Sequence, residues 1–162
     1  FKVVKNNIKE NSTILDAYGG VGAIGIFVSE KAKKITLVEE NKNAIQMAKE
    51  NFEINNIENF EILEGDAKNH ILNFEKENRT FDFTILDPPR SGVNEQALSA
   101  IAKITKNIVY VSCNPITLKR DIEKLLEFNF EVQFIQGVDM FPYTSHVETV
   151  ALLEKKRIKT NA

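Results

Sequence analysis

The chain has one cysteine, Cys113, in 162 residues. That excludes an internal disulfide framework and a cysteine-rich metal site, and it suits a reducing compartment. Excess positive charge is also missing. The net charge of −2 gives none of the basic footprint that drives nonspecific nucleic-acid binding, unless phosphate contacts lie in another region. No apolar run approaches the length of a membrane span, no signal peptide is visible, and no repeat or low-complexity segment interrupts the chain. These absences predict a cytoplasmic protein without membrane contact, and a monomer. There is no initiating methionine before "FKVVKNNIKENSTIL", which suggests a fragment with material missing upstream. What remains, 43% hydrophobic and 27% charged residues, is the composition of one globular domain with a real core.

Short runs rich in Ile, Val, Leu and Phe recur at 13–18, 34–40, 59–66, 81–87, 107–113, 130–138 and 147–155, and read as strands. Helical patterns lie between them. In 41–56, Ala44, Ile45, Ala48 and Phe52 share a face behind the cap Asn41; in 115–128, Leu118, Ile122, Leu125 and Leu126 do so behind Asn114 and Pro115. Alternation of this kind predicts an α/β, Rossmann-like fold: a seven-stranded, mostly parallel sheet with helices on both faces. The last two strands are joined by a segment too short for a parallel crossover, so they should pair antiparallel.

In such sheets ligands bind beyond the carboxyl ends of the strands. The glycine loop "LDAYGGVGAIG" carries Gly20, Gly22 and Gly25 between a strand and a helix, and Glu39 follows the next strand, placed to accept from ribose hydroxyls. Dinucleotide and S-adenosylmethionine sites share that layout. Asp16, directly before the loop, would repel a pyrophosphate and favour an ammonium and a sulfonium, so S-adenosylmethionine is the preferred ligand. Asp66 is placed to accept from an adenine amino group. Each acid alone could equally be a solvated strand end or a helix cap.

"ILDPPRSG" is polar and stiff after a buried strand. Its two prolines fix the backbone. It is either a rigid turn or a ledge on which Asp87 faces the cofactor while Pro88 and Arg90 meet the substrate. Cys113 has two readings as well. A lone cysteine is commonly an inert core residue. Here it ends a strand, and the helix beginning at Asn114 presents its positive end nearby, which stabilises a thiolate. A thiolate beside a methyl donor has a use in pyrimidine chemistry: addition to carbon 6 of uracil makes carbon 5 nucleophilic, and a base then removes the carbon 5 proton. Glu148 is the candidate base and His146 a candidate substrate contact, though either could serve packing or solvation instead.

Taken together, "LDAYGGVGAIG", "VEENKNAI", "EGDA", "DPPRSG", "YVSCNPITLKRDI" and "FPYTSHVETVALL" resemble the catalytic domain of the RNA uracil-5-methyltransferases, which make 5-methyluridine in tRNA or rRNA. The resemblance spans residues 13 to 154. It implies Cys113 as nucleophile, Glu148 as base, and cofactor contacts at Tyr18, Ala23, Glu39, Asp66 and Asp87, with Asn114 beside the substrate. The family usually has a cysteine at position 19, here Gly19, and Thr or Asn at position 23, here Ala23. Family members also carry upstream RNA-contacting regions and, in some, cysteines for an iron-sulfur cluster. None of these is in this sequence, so RNA binding is expected to rest on regions outside it. An amino-group base methyltransferase, a noncatalytic cofactor-binding module and a nucleotide-binding dehydrogenase are the competing readings. The first would leave Cys113 without a task, and Asp16 disfavours the last.

Overall fold

The structure, a computed structural model, describes residues 2–139, 143 and 147–156. Its elements in chain order are α1 (Lys2–Asn7), β1 (Ser12–Asp16), α2 (Ala23–Val28), a short 3-10 turn (Ser29–Lys31), β2 (Ala32–Glu39), α3 (Lys42–Ile54), β3 (Phe60–Glu64), α4 (Ala67–Lys76), β4 (Phe81–Leu86), α5 (Glu95–Ile104), β5 (Thr105–Ser112), α6 (Pro115–Glu127), β6 (Phe130–Val138) and β7 (Glu148–Lys155). All seven expected strands are present. The seven form one sheet in the order β3-β2-β1-β4-β5-β7-β6. The first five pair in parallel, and β7 runs antiparallel to both of its neighbours, β5 and β6.

The central residues of β1, β2, β4 and β5 are buried because both faces of the sheet are covered there, while the edge strand β3 is half-buried. One core layer packs Val4, Ile24, Val28, Ala48 and Phe52 of α1–α3 against Ile14, Ile35, Leu37, Phe83, Ile85 and Val109. The other packs α4–α6 against Leu15, Val38, Leu86, Ile108, Tyr110 and Leu153. Side chains such as Phe52 and Phe83 are essentially inaccessible. Burial of each contributes about 1.5–3 kcal/mol relative to exposure.

Helix ends follow local chemistry. Asn41 accepts from the Asn43 and Ala44 amides, Asp66 from Asn69, Asn94 from Gln96, and Asn114 from Ile116 ahead of Pro115. One expectation fails. Leu126 is 45% exposed, and the buried face of α6 is instead Leu118, Asp121, Ile122 and Leu125. At 100° per residue Leu126 lies past the rim of that arc, while Asp121 falls inside it.

Candidate active site

Strand alternation brings the candidate residues onto one face. Residues two apart share a side of a strand. Ile14, Leu37, Ile85 and Val109 all enter the core under α1–α3. Counting on by twos puts Asp16 and Glu39 on that same face at the carboxyl ends of β1 and β2, and Asp87 and Cys113 directly follow the carboxyl ends of β4 and β5. Strand β7 contributes its first residue. Its register with β5 runs from Asn107 opposite Glu154 to Ser112 opposite Thr149. Cys113 directly follows the last residue of β5 and Glu148 is the first residue of β7, so two residues far apart in sequence flank the same end of the β5–β7 ladder.

Electrostatics tie this row together. Asp16 is 1% exposed, and neither carboxylate oxygen has a hydrogen-bond partner. Its carboxyl is pushed up to about 7 by burial first, then by the charge of Asp87, with Glu39 adding a little; the Gly25 amide dipole opposes them without making a full hydrogen bond. Asp87 stands exposed at the rim, yet the protein around it and the Glu148 charge raise it to about 6. Carboxylates that hold one another's protons in this way are relieved by a cation.

The glycine loop needs its glycines. Gly20 and Gly22 have φ of 53° and 81°, and a Cβ on Gly22 would lie 2.8 Å from the Phe52 ring. At Gly19, where the resemblance leads one to expect cysteine, a Cβ would come within 2.3 Å of Leu37, whose side chain occupies that space. Ala23 is exposed at the start of α2. Glu39 tethers the loop: Oε2 accepts from the Gly20 amide at 2.9 Å, and Oε1 accepts from the Glu40 and Asn41 amides. Three of about four acceptor positions on the carboxylate are thereby filled, so Glu39 has room for one ligand hydroxyl rather than two.

A cleft of about 510 Å³ opens at this edge, lined by Tyr18, Val38, Glu39, Asp66, Asp87 and Pro89 among others. Its size suits a nucleoside-type ligand. Asp66 spends one oxygen on capping α4. Burial, with the charges of Asp66 and Asp121, raises the Tyr18 hydroxyl to about 12, which keeps it a donor. Asp16 itself is buried and precedes Ala17, which lines the cleft.

Pro88 is buried and Arg90 exposed. Asn114, expected at the substrate, is committed within the protein: Oδ1 accepts from Ile116 N and Nδ2 donates to the Arg90 carbonyl at 3.0 Å. Ser112 Oγ accepts from the Asn114 amide, closing a tight turn around the half-buried Cys113. His146 lies outside the described residues. Three residues that the sequence reading missed, Tyr110, Arg120 and Asp121, sit directly behind this turn. The spacing of Asp121 from Leu118 and Leu125 was the available signal.

Among the described residues there is no helix long and apolar enough to cross a membrane, and no cluster of metal-ligating side chains.

The family model of tRNA (uracil-5-)-methyltransferases matches residues 2–156. An uncharacterized RNA methyltransferase of Bacillus cereus is 44% identical over 146 residues, which is 90% of this chain and 32% of that protein. One of Fusobacterium nucleatum is 38% identical, covering 91% of this chain and 32% of its own length. The chain thus spans about a third of the curated relatives it matches. The crystal structure of the Pyrococcus abyssi tRNA (uracil-54, C5)-methyltransferase in complex with S-adenosyl-L-homocysteine is 33% identical, with a TM-score of 0.76 over 94% of this chain and 36% of that one. The precorrin-6y C5,15-methyltransferase of Geobacter metallireducens superimposes equally well, TM-score 0.76 over 94% of this chain and 85% of that one, at 16% identity, and shares the fold alone.

Proposed function

The chain belongs to the tRNA (uracil-5-)-methyltransferase family, and from that membership we propose that it is the catalytic region of an S-adenosylmethionine-dependent enzyme that methylates carbon 5 of a uridine in tRNA or rRNA. The observation that supports this reading is that Cys113, directly after β5, and Glu148, the first residue of β7, flank the same end of the β5–β7 pair, beside the acid row that favours a cation.

The residues suit the cofactor. Its sulfonium and ammonium would answer the unpartnered Asp16 and the raised Asp87. Glu39 would take a ribose hydroxyl, and Asp66 lies on the cleft wall for the adenine. When bound, S-adenosylmethionine supplies the methyl group.

The protein's own residues do the rest. The Cys113 thiolate forms a bond from Sγ to carbon 6 of uracil, and the ring's electron pair moves to give an enolate with a nucleophilic carbon 5. After carbon 5 has gained the methyl group it still carries its hydrogen. Glu148 takes that hydrogen as a proton, the electron pair reforms the 5,6 double bond, and Sγ departs as thiolate. Pro88 and Pro89 keep the Asp87 ledge rigid while this happens. The RNA substrate, its gripping regions and a cytoplasmic location belong to the same proposal, as does the assignment of residues 1–162 to a single catalytic domain.

The test is a full-length protein incubated with RNA containing 5-fluorouridine and S-adenosylmethionine. Fluorine cannot leave as a proton, so a protein–RNA adduct stable to denaturation is expected. On ordinary RNA, Glu148→Gln should accumulate the same kind of adduct after methyl transfer. Turnover without any trapped adduct would overturn the covalent route.

A further inference from the structure

Asp121 is a charged residue with no exposed surface, in the middle of α6. Its Oδ2 accepts from the Tyr110 hydroxyl at 2.6 Å and from the Val93 amide at 2.8 Å. Its Oδ1 accepts from Arg120 Nε at 2.8 Å and Nη2 at 2.6 Å. Four donors on one buried carboxylate is a fully satisfied network, costly to disturb. Arg120 carries the network further. Its Nη2 also donates to the Ser91 carbonyl at 3.0 Å and the Val93 carbonyl at 3.4 Å. One turn earlier on α6, Thr117 Oγ1 donates to the Arg90 carbonyl, which Asn114 Nδ2 also reaches.

Arg90, Ser91 and Val93 thus each give backbone groups to α6. Gly92, with φ of 76°, approaches so closely that a Cβ there would lie 2.6 Å from both Arg120 Nη2 and Asp121 Oδ2. The loop is a partition between two clefts, the 510 Å³ cleft at the glycine loop and a second of about 650 Å³ on its far side, and Gly92 and Asn94 line both. On its sheet side the network ends at Tyr110, which pairs in register with Leu86, the residue before Asp87. The same strand leads through Ser112 to Cys113.

We propose that Asp121 and Arg120 are positioning residues that latch the Asp87–Val93 loop to α6, and so fix the distance between the ledge carrying Asp87 and Arg90 and the nucleophile Cys113. This rests on the function proposed above, because Cys113 and the ledge must act on one substrate for their spacing to matter. The latch makes no contact with substrate. It acts through the loop, and a displacement of about 1 Å at a reacting centre can lower the rate roughly 100-fold.

The experiment uses the full-length protein carrying Asp121→Asn, Arg120→Lys or Tyr110→Phe. Asp121→Asn keeps an acceptor for Tyr110 and Val93 but loses the charge that holds Arg120. Its adduct formation with 5-fluorouridine RNA should slow by about 100-fold, while affinity for S-adenosylhomocysteine in calorimetry falls far less. Hydrogen exchange should speed up in the peptide over 88–94 and leave β1–β3 unchanged. Arg120→Lys keeps the charge and loses the fork, and should show the same split at smaller size. Tyr110→Phe should be the mildest. Wild-type adduct rates in Asp121→Asn, or an exchange increase spread evenly over the sheet, would overturn the latch. If Asp121→Asn fails to fold, Arg120→Lys decides by the same two measurements. If the wild-type protein traps no RNA, the function proposed above fails, and exchange at 88–94 still decides whether the latch exists.

Discussion

Two pairs of acidic residues, one at each end of the sheet, are treated in opposite ways. Near the amino ends, Glu61 on β3 faces Lys34, Thr36 and Arg79, and the Arg79 guanidinium also lies over the Phe74 and Phe81 rings at 4.8 and 5.1 Å. Burial opposes its ionisation, but these hydrogen bonds and the Arg79 charge prevail and hold it down to about 2. Asp82 on β4 accepts from the Thr13 amide and hydroxyl and is lowered too. Near the carboxyl ends, Asp16 has no partner and Asp87 shares its surroundings with Glu148, so both are raised. One end is finished as structure. At the other, the proposed cofactor would supply the missing positive charge, in keeping with the clustering of raised carboxyls at functional sites.

Cys113→Ala breaks this comparison most completely. Methylation of RNA by the full-length protein should fall below detection in a radiolabelled-methyl assay, with S-adenosylhomocysteine binding and melting temperature retained. Loss of folding instead would make Cys113 part of the core rather than of the site.

Asp16→Asn should reverse the usual sign of a core substitution. The folded protein holds the Asp16 proton up to about 7, against 3.8 in the ordinary carboxyl. Ionisation therefore opposes folding, and stability is lost as pH rises from about 4 to 7. Three units correspond to at most about 4 kcal/mol. Urea unfolding should find the variant more stable than wild type at pH 8 and equal to it at pH 4, with weaker binding of S-adenosylmethionine. Equal stability at both pH values would show that Asp16 is not held against its charge.

Glu39→Ala should weaken S-adenosylhomocysteine binding by about 1.5–3 kcal/mol, one hydrogen bond to a charged group. Calorimetry showing unchanged affinity would remove Glu39 from the site. The smallest effect belongs to the other end of the sheet. Glu61→Gln should cost up to about 1 kcal/mol at neutral pH. Because its folded carboxyl is depressed, that contribution fades as pH falls from about 4.5 toward 2. Methyl transfer should be untouched, and a rate change would blur the division between the two ends.

Much of this contrast could be read from the chain. The apolar runs marked every strand, because strands covered on both faces must be continuously hydrophobic. Of the acids just past those runs, Glu39, Asp66 and Asp87 line the cleft at the carboxyl edge. Strand order could not be read, since nothing local says that β7 enters between β5 and β6. The arrival of Cys113 and Glu148 at the same end of one strand pair depends on that order. The latch escaped because a carboxylate on a helix reads as solvent-facing unless its spacing from Leu118 and Leu125 is weighed. Leu126 erred in the opposite sense, counted into a face whose arc it just misses. Glu39 and Asp66 were placed at the right edge, but both also serve the protein itself, one as a tether and one as a cap.

The position of β7 bears on how the chain is made. Strands β5 and β6 are both synthesised before it, yet in the finished sheet they do not touch, because β7 lies between them. Until it arrives, β5 presents an open edge and β6 has no neighbour. Open edges invite pairing with other chains. A chain released ahead of Glu148 therefore carries a bare β5 edge, and the eight residues of β7 close it and move the exposed edge out to β6.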